Sequence, residues 1–75
     1  MNITKTLDAK GLSCPMPIVK TKKAMDQLNT GDILEVFVTD KGSLNDIPAW
    51  VKSGGHQILK QTEEADVIAF YIQKG

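Results

Sequence analysis

Residues 32–39, DILEVFVT, alternate with a period of two and are rich in β-branched and aromatic side chains. Leu34, Val36 and Val38 share one side; Ile33, Glu35 and Phe37 share the other, and the charge on Glu35 marks the first set as the core face. Three other stretches carry weaker forms of the same signal. Residues 3–8, ITKTLD, set Ile3, Lys5 and Leu7 against Thr4, Thr6 and Asp8. Residues 56–62 and 66–74 read as two further strands joined by residues 63–65, a loop short enough for a hairpin, with Ile68, Phe70 and Ile72 facing inward. Between the strands the period changes to steps of three and four. Ile18, Thr21, Met25 and Leu28, with Ala24 beside them, predict a helix over 15–29, and Asn29-Thr30-Gly31 stops it. Leu44, Ile47 and Val51 predict a second helix that begins at Ser43 and ends at Gly54-Gly55. Ser43 followed by Asp46 resembles a capping box. Pro48 is awkward there, because its ring removes a bond to Leu44; a start nearer Asp46 would relieve it.

The order is therefore βαβαββ. Both helical stripes need an apolar surface, and only the sheet offers one. The expectation is an α+β two-layer sandwich: a four-stranded mixed sheet with two helices on one face, in a single domain spanning 1–75. The first two strands should run parallel through a right-handed crossover, and the last two should form an antiparallel hairpin. The outer sheet face would carry Ile33, Phe37 and Tyr71, apolar enough to be a contact surface.

Composition narrows the chemistry. With 75 residues, a core this small buries about 60–65% of the unfolded surface and leaves no room for a deep enclosed site. Nine basic residues balance nine acidic ones, so no global field draws nucleic acid or an anionic membrane, and direct nucleic-acid binding is not expected. The opening MNITKTLDAKG has no apolar segment of the signal-peptide kind, and no run is long enough for membrane insertion. A single cysteine forms no internal disulfide, and the chain reads as cytoplasmic.

That cysteine lies in LSCPMPI, directly before a Pro-x-Pro. The helical pattern places Cys14 at the N-cap, Pro15 at N1 and Pro17 at N3, where proline is tolerated and stiffens the start of the helix. The positive end of the helix favours thiolate over thiol, and the N–H of Met16, with that of Ile18, could point at the sulfur. Free cysteines are more often buried and inert, but Ser, Thr, Asp or Asn would cap this helix better, so packing explains Cys14 poorly. A dithiol oxidoreductase wants a second cysteine, and Cys14 with His56 cannot close a metal site. A hydrolytic nucleophile wants a base and an oxyanion pocket. Carrying sulfur as a persulfide needs one exposed thiol, docking surfaces and no cofactor.

LDAKGLSCPMPIVKTKKAM followed by GDILEVFVTDKGSLNDIPAWVKSGGHQIL resembles the TusA family, also called SirA-like: small sulfur carriers with a Cys-Pro-x-Pro motif. The resemblance covers nearly the whole chain and implies the same βαβαββ sandwich. It implies that Cys14 takes sulfane sulfur from a donor protein, a cysteine desulfurase or a rhodanese-like protein, and passes it to an acceptor protein. Family routes include tRNA thiolation, molybdenum-cofactor maturation, sulfur oxidation, and thiosulfate or selenium handling. Ser13 stands where members serving tRNA thiolation carry a basic residue, and Asp40-Lys41-Gly42-Ser43 differs from their Asp-Pro-Ala-Thr. Both departures weaken that route more than sulfur transfer itself.

Other residues have two readings each. Lys10 is near Cys14 in sequence and could support a thiolate, or be a turn lysine in solvent. Asp40 and Asp46 could contribute to the surroundings of the thiol, or cap a turn and a helix. Lys20, Lys22 and Lys23 could meet an acidic partner or simply be solvated. His56 could act as acid or base, or be a solvated strand start. Trp50 could pack at the sheet edge or anchor a partner. The alternative to sulfur carriage is a non-catalytic interaction module or thiol redox switch.

Overall fold

The periodicities of the chain become six elements: β1 (Lys5–Ala9), α1 (Met16–Asp26), β2 (Ile33–Val38), α2 (Ser43–Ser53), β3 (Gln57–Glu64) and β4 (Val67–Gln73). The structure is a computed structural model and describes residues 2–13 and 15–75. The sheet order is β1-β2-β4-β3. β1 runs parallel to β2, while β4, last in the chain, inserts antiparallel between β2 and β3. The sheet is mixed, as the sequence predicts.

Alternation along β2 and β4 decides which face the helices cover. Leu34, Val36 and Val38 are fully buried, as are Ile68, Phe70 and Ile72, their cross-strand partners on the same face. Met25 and Ala24 of α1 and Ile47 and Val51 of α2 join them in one cluster, so both helices lie on that face. Full burial of a side chain such as Phe70 contributes about 1.5–3 kcal/mol of transfer free energy. Thr21 lies in the same α1 stripe and is fully buried, its hydroxyl donating to the Pro17 carbonyl at 2.7 Å. The first strand begins two residues later than its alternation suggests: Ile3 stays 40% exposed, and the inward positions are Leu7 and Ala9.

Helix α2 begins at Ser43, as expected, but the capping box does not form. Gly42 occupies the cap position and no side-chain oxygen caps it. The reason lies one turn upstream. Asp40 accepts the Gly42 N–H on its carboxylate and the Ser43 N–H on its carbonyl, so the coil winds up before Ser43, which is drawn in to 2% exposure. The early start leaves Pro48 inside the helix, with no N–H for the Leu44 carbonyl. The helix closes where the Gly pair predicts: Gly55 N–H bonds the Lys52 carbonyl and His56 N–H bonds the Val51 carbonyl.

The hairpin is tighter than the predicted three-residue loop. β3 runs on to Glu64, and Ala65 and Asp66 turn the chain with φ of 51° and 66°. Positive φ at both positions matches the twist of the flanking strands. Further back, the β3–β4 register shifts between Ile58 and Lys60, making Leu59 an extra residue on β3.

Candidate cysteine loop and its surroundings

The segment that carries the cysteine leaves the sheet at Ala9, which pairs with Val38 and is fully buried. A turn follows at once, with Leu12 N–H bonding the Ala9 carbonyl at 3.3 Å. Gly11 takes φ +80° in this turn, a conformation that side chains disfavour. Its N–H, turned outward, donates to Thr39 Oγ1 at 2.9 Å, and Leu12 packs half-buried against the core. Ser13 and Met16 then bridge the Cys14–Pro15 pair, the Met16 N–H donating to the Ser13 carbonyl at 2.9 Å. Cys14 itself, and its expected N-cap position, lie outside the described residues.

Two expectations for this helix start are corrected. Pro15 holds the N-cap rather than N1, Met16 is N1 and Pro17 is N2 rather than N3, so the helix begins one residue later than predicted. The first i→i+4 bond of the helix runs from Val19 N–H to the Pro15 carbonyl, which sets the boundary there. The Met16 N–H is not an orphan aimed at the sulfur, because Ser13 takes it. What remains is the helix field. No acidic side chain stands in the first turn of α1, so its positive end is not offset from within the helix. Pro17 is buried and locks the turn into the core, while Met16 stays 40% exposed.

The other candidates lie on several elements. The Lys10 ammonium lies 5.9 Å over the Phe37 ring, on the sheet face opposite the helices. Asp40, half-buried, shapes the turn into α2, and Asp46 is exposed in the first turn of that helix. Lys20, Lys22 and Lys23 are exposed along α1. His56 precedes β3, accepts the Gly75 N–H on Nδ1 at 3.1 Å and stacks, tilted, 5.4 Å from Trp50, which is half-buried against the core. Thr39 is not singled out by the sequence. A threonine at a strand exit reads as β propensity, and only the parallel β1–β2 register brings it beside Gly11.

Of the residues expected on the outer sheet face, Phe37 and Tyr71 line a shallow open depression of 380 Å³, together with Thr62, Glu64, Ala65, Val67 and Ala69; Ile33 does not line it. The Tyr71 phenol is pushed above its usual range by its hydrogen bond to Glu35, then by burial and by the Glu35 charge. Glu35 also accepts the Thr6 hydroxyl at 3.0 Å. Among the described residues, no helix is long and apolar enough to cross a membrane.

A cysteine-bearing loop at the head of the first helix of a βαβαββ sandwich defines a class of small thiol proteins, and comparison makes the class specific. Residues 5–74 match the model of the sulfurtransferase TusA family, and the chain belongs to that family. It is 64% identical over 75 residues to YrkI of Bacillus subtilis, covering all of both chains. It is 40% identical over 68 residues to the sulfur carrier protein TusA of Allochromatium vinosum, covering 91% of this chain and 90% of that one. The crystal structure of a SirA-like protein from Desulfitobacterium hafniense superposes with a TM-score of 0.85 at 30% identity, over 96% of this chain and 99% of that chain.

Proposed function

We propose that the chain is a sulfur carrier that holds sulfane sulfur as a persulfide on Cys14, in a domain comprising residues 1–75. The observation that carries this reading is the family match over residues 5–74, in a chain whose single cysteine falls between Ser13 and the Pro15-Met16-Pro17 start of α1.

Two thiolate exchanges suffice. The Cys14 thiolate attacks the terminal sulfur of a donor persulfide R–S–SH; the donor S–S bond breaks, R–S⁻ leaves, and Cys14–S–SH forms with the proton retained. An acceptor thiolate then attacks the terminal sulfur of Cys14–S–SH and regenerates the Cys14 thiolate. One sulfur atom moves each time, and no external oxidant or reductant is needed. The donor is a protein of the cysteine desulfurase or rhodanese-like kind, and the acceptor is a second protein. The positive end of α1 favours the thiolate in the attacking and leaving roles alike. Pro15 and Pro17 stiffen the approach to the helix, and Asp40, Asp46 and Lys10 are the charged groups of the adjoining turns.

The test is the intact mass after exposure to glutathione persulfide. The parent chain should gain one sulfur, removable by reductant, and Cys14→Ser should gain none while remaining folded. A parent chain that gains nothing, or a Cys14→Ser chain that gains as much, sinks the proposal.

A further inference from the structure

We infer that Thr39 is a positioning residue for the cysteine loop, acting through the Gly11 amide. This deepens the carrier reading and rests on it for its purpose.

The loop between β1 and α1 has to cross from the end of a buried strand to the head of a helix on one face of the sheet. Beyond the turn bonds at Lys10 and Leu12, three contacts among the described residues hold its path. Leu12 packs against the core, Ser13 is bonded to Met16, and Gly11 is bonded to Thr39. The first two are internal to the segment or apolar. The third is a side-chain bond of 2.9 Å across 28 residues of sequence, from the strand next to β1. It anchors the peptide that enters Gly11, the residue at which the chain takes a positive φ.

Placement suits the hydroxyl to this task. Val38 pairs with Ala9, so the residue after Val38 comes level with the turn that follows Ala9. Thr39 is half-buried and leads directly into Asp40, which builds the turn into α2. The hydroxyl thus ties Gly11, three residues before Cys14 in the chain, to the end of β2. The Gly11–Thr39 bond is exposed, so water can take over the amide when the hydroxyl is removed, and overall stability should change little. What water cannot replace is the fixed direction of the loop. A thiolate exchange needs the attacking sulfur held in line with the bond it breaks, so looseness here should appear in rate.

The experiment compares the parent with Thr39→Val, Thr39→Ala and Thr39→Ser. Valine keeps the branched shape and strand preference and loses only the hydroxyl. Two rates are read: gain of sulfur from glutathione persulfide by intact mass, and alkylation of Cys14 by iodoacetamide at pH 7. The Val and Ala variants should lose about tenfold in at least one of these rates, with Ser restored to within about twofold of the parent and all four unfolding at similar temperatures. Parental rates in both Val and Ala overturn the inference. So does a Ser variant as slow as Val, because the hydroxyl would then not be the agent. So does unfolding of both Val and Ala, since the bond would then belong to the fold. Alkylation requires no sulfur transfer. A parent that fails to load sulfur therefore sinks the carrier reading while still leaving the role of Thr39 to be read.

Discussion

Helix α1 opens on Pro15, Met16 and Pro17 with no acidic side chain in its first turn, whereas α2 opens on Gly42 and Ser43 with Asp46 in its first turn. Both helices lie on the same sheet face and both are eleven residues long. At α2 the local carboxylates serve the fold: Asp40 organises the turn, and Asp46 answers the helix dipole. At α1 rigidity comes from rings, which contribute no charge, and no side chain of its own first turn is acidic. One architecture thus supports two kinds of helix start, one with a carboxylate in its first turn and one without. Charge is placed locally in the first and withheld in the second.

The strongest way to break this comparison is to move the thiol. Cys14→Ser combined with Ser43→Cys puts the only cysteine at the head of α2, at a position 2% exposed. Uptake of sulfur from glutathione persulfide should be lost completely by intact mass; uptake at the parental rate would mean that the heads of the two helices are equivalent. Next comes the same substitution in both helices. Pro17→Ala should destabilise by about 1–2 kcal/mol, because a buried ring is lost and the unfolded chain gains freedom. Pro48→Ala should stabilise by about 1–3 kcal/mol, because the Leu44 carbonyl regains a donor inside the helix. Urea midpoints read both, and shifts of the same sign would refute the distinction. The smallest effect is the most pointed. Met16→Glu gives the first turn of α1 the acidic charge it lacks, at an exposed position. It should raise stability by about 0.3–1 kcal/mol while slowing iodoacetamide alkylation of Cys14 at pH 7 by about two- to fivefold. A stabilised variant that alkylates faster would show that the helix field does not act on the thiol.

How much of this can be read in the sequence follows from the range of each interaction. The sheet and both apolar stripes are legible because Leu34, Val36, Val38, Ile68, Phe70 and Ile72 repeat with the period of their own element, a purely local signal. Helix starts are less legible. Ser43 looks like a cap because hydroxyls usually are, yet the bonds to Asp40 have already started the coil. The cysteine motif is conspicuous as a run of residues, but the one-position shift at Pro15 depends on which backbone amide finds which carbonyl. Thr39 cannot be found at all without the β1–β2 register, since nothing in the chain links it to Gly11.

The extra residue at Leu59 also bears on how these molecules behave in a crowd. β3 is an edge strand, exposed at every position but Ile58, and its outer rim offers free backbone groups to any extended chain that drifts alongside. An incoming strand in step with Gln57 and Ile58 falls out of step beyond Leu59, where Lys60, Glu63 and Glu64 add charge. Fibril growth requires a flat edge that each new chain can copy, and this edge is interrupted near its first pairs. Along β3 the sheet is therefore a poor template for its own kind.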